Sequence, residues 1–365
     1  MKIAFLAGYS SIHTVKWVNE LARRGHNVHL ITMHPGREEL HKGVQVYILP
    51  FKPPLGYYLN VGRLKVLLRK IKPDILNTHY ASGYGVLGRL CGFHPHILSV
   101  WGDDVYGVPD RSLLFRKIIT KNLCRADWIC STSKTMAQRV NELFPVRGLT
   151  VTPFGVNTEV FRPMPKEQIC NRLLVGTVKA LSPDYGIDTL IKAFAEIKNE
   201  LSNMPRSLEL LIVGDGPQRA EYEDLVHTLG IQHCTIFTGA VPHGMVPGYL
   251  NQLDIYVAAS RAAESFGVAV VEASACGIPV IVSNAGGLPE VVNREITGII
   301  VEKDDVEALA HAIKRLIGNE PLRRQMGAAG RRHVLDHYQW KQNADIMEDV
   351  YQQVYHDFRN NNRGV

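Results

Sequence analysis

The feature that most constrains this chain is a repeated alternation of short apolar, β-rich runs with helical stretches. The first series of runs covers 2–7, 27–33, 44–49, 75–79, 97–101, 128–132 and 149–154. Between the first two lies a helical pattern from His13 to Arg24, with Val15, Val18, Leu21 and Ala22 on one face and Gly25 as its stop. Strand, crossover helix and strand within about 30 residues form a βαβ unit. After Pro163 and Pro165 the rhythm restarts, with runs at 172–178, 208–213, 235–238, 254–259, 279–283 and 298–301. Strands alternating with helices imply parallel sheets covered on both faces. The count is too large for one small sheet, so the chain reads as two doubly wound α/β domains, 1–165 and 166–342, followed by a helical tail.

At 365 residues the chain is long enough for two such cores without disulfides or metal. Its six cysteines are scattered with no CxxC pair, which suits a reducing compartment. The apolar start ends at Tyr9-Ser10-Ser11, too soon for a signal sequence, and no run approaches the ~18 apolar residues of a membrane span. The expectation is a cytoplasmic protein, peripheral at most to the inner leaflet of a membrane. Charge is unevenly spread. Residues 1–165 hold 22 Lys+Arg against 10 Asp+Glu, leaving 19 against 25 for the rest of a chain whose net charge is +6. A basic half suits an anionic partner: nucleic acid, an acidic leaflet or a phosphorylated substrate. Within it, Leu64, Leu67, Leu68 and Ile71 share a helical face with Arg63, Lys65, Arg69, Lys70 and Lys72 around them, and 115–121 repeats the mixture. That pattern fits an anionic membrane surface, or a helix that covers the sheet and leaves its cations in water.

Ligands of open α/β sheets bind beyond the carboxyl ends of the strands. After the first run come Gly8-Tyr9-Ser10-Ser11 and the start of a helix with His13, a setting for backbone contact with an anion. After 208–213 comes Gly214-Asp215-Gly216-Pro217, which reads as a phosphate contact or as a tight strand-to-helix turn. After 254–259 comes the most informative segment, Glu264-Ser265-Phe266-Gly267-Val268 leading into an apolar helix that contains Glu272. A helix apolar all round is buried, and a carboxylate inside it is costly unless it is paired or hydrogen-bonded. The arrangement reads as sugar hydroxyls on Glu264, phosphate on the helix start at Gly267, and ribose hydroxyls on Glu272. The plain alternative pairs Glu272 with a structural arginine.

The spacing Glu264-x7-Glu272, in the setting ESFGVAVVEASACGIPV, closely resembles the signature of retaining glycosyltransferase family 4, which has the GT-B fold of two Rossmann-like domains facing across a cleft. The resemblance runs nearly the whole length, through 11–18, Ala126-Asp127, 153–157, Phe161-Arg162-Pro163, 214–217, Gly286-Gly287-Leu288-Pro289-Glu290 and Gly298. It implies a hexosyltransferase of glycan or polysaccharide assembly. A UDP- or GDP-sugar would sit on the second domain and a glycan or lipid-linked acceptor on the first. It also implies retention at the anomeric carbon, no required cofactor, no metal and no nucleic-acid partner. The tail from 343 to 365 would cross back onto the first domain. Two departures stand out. The family's first loop of the second domain carries an Arg and a Lys for the diphosphate; here those positions are Ala180 and Tyr185, and Lys179 is the loop's cation. A histidine after a central first-domain strand is replaced by Trp101, leaving His79 or His13 to serve. The candidate catalytic set is therefore Glu264, Lys179 and His79. The candidate donor contacts are Gly8, Ser10, His13, Gly214, Asp215, Gly216, Phe266, Gly267, Val268 and Glu272. The nucleobase would meet backbone groups around 238–243. Asp103-Asp104 offers adjacent carboxylates but no cage for a metal. The competing readings are a sugar-nucleotide-binding protein without chemistry, and another GT-B enzyme such as a sugar-nucleotide epimerase.

Overall fold

The structure is a computed structural model that describes residues 1–165, 172–201 and 206–361. It contains two compact units, Met1–Pro153 with Asn343–Val365, and Phe154–Gln342. The joint expected at 165/166 borders residues outside the described ones. The division between the compact units falls earlier because Phe154, Val156 and Phe161 are buried. Phe154 sets its ring edge against Phe266, and the Val156 N–H donates to the Tyr338 carbonyl at 2.9 Å, all within the second unit.

The first unit holds a seven-stranded sheet: β1 Lys2–Leu6, β2 Asn27–Thr32, β3 Val44–Ile48, β4 Ile75–His79, β5 His96–Val100, β6 Trp128–Ser131 and β7 Leu149–Val151. Its order is β3-β2-β1-β4-β5-β6-β7, and every neighbouring pair is parallel. The second unit holds six strands: β8 Arg172–Val178, β9 Ser207–Val213, β10 Thr235–Gly239, β11 Ile255–Ala258, β12 Val280–Ser283 and β13 Gly298–Val301. Their order is β10-β9-β8-β11-β12-β13, again all parallel. In each sheet the order reverses direction once, between β1 and β4 and between β8 and β11. Side loops diverge there, and a ligand finds room beyond the carboxyl ends.

The cores follow from the apolar runs. In the second unit Val175, Leu210, Ile212, Val257 and Ile281 pack with helix residues such as Ile191, Phe194 and Ile313. In the first unit Leu64, Leu68 and Ile71 of the helix Val61–Ile71 pack, with Leu87, against Leu76 of β4 and its neighbours in the sheet. That placement decides between the two readings of the basic amphipathic helix. Its apolar face covers the sheet, and Leu67 packs half-buried beside it. The tail helix Trp340–Asn361 is part of the first unit from Asn343 onward. Its buried Tyr351 hydroxyl accepts from Asn77 Nδ2 at 2.7 Å. Arg24 reaches Asp345 at 2.5 Å and also pairs with Glu348, which takes His26 Nε2 at 2.5 Å. Among the described residues no helix is long and apolar enough to cross a membrane.

Candidate active site

At the β8/β11 reversal the loops after the two strands meet through one ion pair. Lys179, just beyond β8, places Nζ 2.6 Å from Oε1 and 2.7 Å from Oε2 of Glu264, in the loop after β11. Both side chains are largely buried, 16% and 13% exposed. The same ammonium stands 4.4 Å from the centre of the Tyr185 ring, a cation–π contact. Ser260 Oγ donates a short hydrogen bond to Glu264 Oε1. The main chain of Glu264 is fixed as well, its carbonyl accepting from the Gly287 N–H at 2.7 Å. The phenol of the buried Tyr256 lies near these carboxylates, and burial followed by the Glu264 charge pushes its pKa above the usual tyrosine value.

The glycines after β9 act on this loop. Gly214 has φ +139, and a Cβ there would lie 1.9 Å from the Lys179 carbonyl oxygen. The Lys179 N–H donates to Val213 O at 2.9 Å, and the Leu181 N–H to Asp215 O at 3.0 Å. Gly214, Asp215 and Gly216 thus form the tight turn against which the Lys179 loop is laid. Asp215 accepts from the Gly216 N–H at 2.8 Å and meets Arg219 at 3.5 Å. In this turn the close approach is to protein backbone.

Glu264 leads into the helix Val268–Ala275. Gly267 caps it with φ +101, and a Cβ there would come within 2.7 Å of Leu288. Only glycine combines that conformation with that closeness. No side chain caps this end; the Val270 N–H donates to the Gly267 carbonyl at 3.0 Å, which leaves the N–H groups of Val268 and Ala269 at the helix start. Val268 opens the helix half-buried. Phe266 is buried edge-on between Phe154 and Tyr338 at 6.3 and 5.4 Å, so its ring anchors the loop. Glu272 is 4% exposed and takes His243 Nε2 on Oε1 at 2.9 Å. Its partner is a half-exposed histidine packed on Phe161, where an arginine was the alternative expected.

The β1/β4 reversal of the first unit has another character. Gly8 follows β1 with space for a Cβ, its nearest neighbours being Ser10 Oγ at 3.8 Å and His34 at 3.9 Å. Ser10 is exposed, and His13 is half-buried on the first turn of the helix Ile12–Arg23. His79 ends β4 at 1% exposure, with Nδ1 3.3 Å from Thr14 Oγ1 and Trp101 over it at 4.1 Å. Burial, with the nearby His13 adding to it, lowers its pKa to about 3. A sealed imidazole that stays neutral is a poor general base, and His79 packs here against Trp101 and beside Thr14. His13 meets the same indole edge-on at 5.9 Å. Asp104 is consumed by three backbone N–H groups, of Ala81 at 2.7 Å, Gly102 at 2.8 Å and Trp101 at 3.2 Å, and Asp103 pairs with Arg111 at 2.9 Å. They are loop staples. Among the described residues no three His, Cys, Asp or Glu side chains converge as a metal site would need.

Comparison with known proteins meets this geometry. Residues 164–333 match the family described as glycosyl transferases group 1, and residues 2–133 the one described as glycosyl transferase 4-like. Over 274 residues the chain is 30% identical to a GDP-mannose-dependent alpha-(1-6)-phosphatidylinositol monomannoside mannosyltransferase of Mycolicibacterium smegmatis, covering 70% of each chain. The chain belongs to glycosyltransferase family 4. Solved structures carry the fold of this glycosyltransferase across its length. Sucrose-phosphate synthase of Thermosynechococcus elongatus superposes with a TM-score of 0.84 at 23% identity, covering 98% of this chain and 100% of that one. HepE of Anabaena in complex with UDP superposes with 0.83 at 19% identity, covering 97% and 100%. The fold is thus GT-B, as expected from the motifs. Three partners in the glycosyltransferase's candidate site were not foreseen: Ser260, Tyr185 as the platform under Lys179, and His243. The only signal for Tyr185 was its place in the loop where the family carries a lysine.

Proposed function

We propose that this glycosyltransferase moves a hexosyl group from a UDP- or GDP-sugar to a hydroxyl of a lipid-linked glycan or polysaccharide precursor, with retention at the anomeric carbon. The observation that carries the reading is the Lys179 ammonium held by both oxygens of Glu264 beside the uncapped start of the helix Val268–Ala275. In the structure the two charges neutralise each other. A diphosphate competes for the ammonium, and Glu264 is released to accept hydrogen bonds from hydroxyls of the transferring sugar. Glu272 takes the ribose hydroxyls in place of His243. When the anomeric C–O bond breaks, negative charge grows on the outer phosphate. Lys179 and the first-turn N–H groups at Val268 are already aimed where it grows, which is where preorganised charge accelerates a reaction. The acceptor hydroxyl adds to the anomeric carbon on the face the phosphate leaves, and the departing phosphate oxygen takes its proton. That route suits a first-unit edge whose buried histidine stays neutral.

Both nucleotides stand among the relatives: the Mycolicibacterium enzyme is named for GDP-mannose, and the Anabaena structure holds UDP. The former is also named for a phosphatidylinositol acceptor, which agrees with the basic charge of residues 1–165. The test is a panel of UDP- and GDP-sugars, read as slow release of free nucleoside diphosphate. The anomeric configuration of the product is then read by NMR. Release with one donor class and a retained configuration are expected. No release with any donor overturns the reading in favour of a binding protein, and an inverted product overturns the stereochemistry.

A further inference from the structure

A cavity of about 590 Å³ opens at the amino edge of the first sheet, beside the starts of β6 and β7. Strands of four or five residues, at about 3.3 Å each, put it roughly 13–17 Å from the carboxyl edge where Gly8, Ser10 and His13 stand. The catalytic reading above makes no use of it. Its volume falls in the range of small-molecule sites, about 300–1,000 Å³.

Three of its walls are aromatic side chains that the core leaves half-buried: Trp128 at the start of β6, Phe144 after the helix Lys134–Leu143, and Phe358 near the end of the tail helix. Each ring is fixed by the protein. The Trp128 indole N–H donates to Thr150 Oγ1 at 3.0 Å, and Gly148 lies so close to the ring that a Cβ there would fall 2.3 Å from it. Phe358 stacks on His94 with 6.5 Å between ring centres and 12° between planes. Phe144 packs on the core that contains Leu123 and Ile129.

The charges that line the cavity do not balance. Arg125 and Arg147 are exposed, and neither guanidinium has an ion-pair or hydrogen-bond partner among the described residues. The acidic side chains are Asp127 and Asp357. Asp127 is engaged: it accepts from the His96 N–H at 2.6 Å and pairs with His94 Nδ1 at 2.7 Å, and that hydrogen bond raises the His94 pKa. This leaves Asp357 against two free guanidiniums.

We propose that the cavity is a binding site for a flat aromatic carboxylate, its rings among Trp128, Phe144 and Phe358 and its carboxylate on Arg125 and Arg147. Fixed aromatic walls offer offset and edge-on contacts to a ring system. A guanidinium gives a carboxylate two parallel hydrogen bonds and sheds water more readily than an ammonium. The site is also tied to the sheet. Phe358 lies on the helix whose Tyr351 hydroxyl accepts from Asn77 of β4, and Asn77 Oδ1 accepts in turn from Ser99 Oγ of β5 at 3.0 Å. A bound ligand would tighten the packing of the tail helix on that sheet.

The probe is 2-naphthoate, added to the full chain and read in two ways. One is thermal melting. The other is alkylation of Cys124, an exposed thiol that lines the cavity, followed by peptide mass spectrometry. Saturating 2-naphthoate is expected to raise the melting temperature and to slow Cys124 alkylation about five- to tenfold, as a mostly buried ligand would. The neutral isostere 2-naphthamide and the aliphatic decanoate are each expected to need about tenfold more ligand for the same protection. Arg125→Gln with Arg147→Gln is expected to weaken 2-naphthoate about tenfold and leave 2-naphthamide unchanged. Both substituted side chains are exposed, so melting without ligand and binding of UDP or GDP should stay as in the wild type and report folding. Neither nucleotide is expected to displace the probe. Absence of protection at millimolar 2-naphthoate overturns the proposal, and so does equal protection of the wild type and the double variant. Decanoate as effective as 2-naphthoate would make the cavity an acyl-chain site and overturn the aromatic assignment. Displacement by UDP or GDP would place the probe in the nucleotide's site and overturn it as well.

Discussion

The two sheets share a topology and differ at their carboxyl edges. Beyond β8 and β11 the polar groups come in fixed pairs, Lys179 with Glu264 and His243 with Glu272, and the loops between are drawn tight by glycines against backbone. Beyond β1 and β4 the groups are aromatic and apolar: His79 under Trp101, His13 edge-on to the same indole, and exposed apolar tips on either side. An edge of preset charges suits a ligand whose charged part never changes, such as a nucleoside diphosphate. An edge of rings and open loops suits a ligand chosen by shape. One fold can serve both tasks because the strands set where the loops emerge, and the loop residues set what they hold.

The largest effect that would break this contrast is expected at Glu264. Glu264→Gln should cut turnover by roughly 10²–10³ while UDP or GDP binds at least as well, because the ammonium of Lys179 is released from its partner. Parallel loss of binding and turnover, followed by calorimetry and nucleotide release, would make Glu264 a structural residue only. Next comes Glu272→Ala, expected to weaken nucleotide binding by about 1.5–3 kcal/mol, roughly ten- to hundredfold. His13→Ala on the other edge should leave that affinity unchanged. Equal losses in the two variants would erase the division of labour.

Acid should act on the first unit through its buried histidines. Burial is the main cause that lowers His79 to about 3 and His96 to about 4, both below the unfolded value near 6.5. The unfolded chain therefore takes up protons that the folded chain refuses. Stability from this source is full above about pH 6.5 and falls on the order of 1 kcal/mol per histidine per pH unit as the pH drops toward the folded values. Melting curves between about pH 7 and pH 5 should show that fall, and His79→Asn should lessen it. A variant with an unchanged slope would mean that His79 takes a proton where it stands. The smallest effect is expected at Tyr185, where Phe should preserve donor turnover and Leu should lower it a few-fold, the share of a cation–π contact. Identical behaviour of Phe and Leu would reduce Tyr185 to a spacer.

The fold was legible because parallel strands buried on both faces need apolar runs, and each of β1 to β13 overlaps one of the β-rich runs read in the sequence. Glu272 was legible as a carboxylate inside an apolar helix, and Glu264 by its spacing to it. What the sequence could not disclose was who meets whom across long separations: Lys179 and Glu264 stand 85 residues apart, His243 and Glu272 29. Burial misled in both directions. His79 was a candidate because Trp101 stands where the family carries a histidine, and that same Trp101 packs over it. The helix at 61–71 carried the stronger amphipathic pattern and spent it on the core, while of the second mixture at 115–121 Phe115, Arg116 and Lys117 are exposed and Ile119 is buried.

We propose that the nucleotide is held at the β8/β11 edge and not, as the sequence led one to expect of Gly8, Ser10 and His13, at the β1/β4 edge. Amide hydrogen exchange of the full chain, with and without saturating UDP or GDP, tests it most directly. Protection is expected at 176–186, 239–243 and 264–272, with 8–14 and 79–82 unchanged. Protection confined to 8–14 and 79–82 would contradict the account.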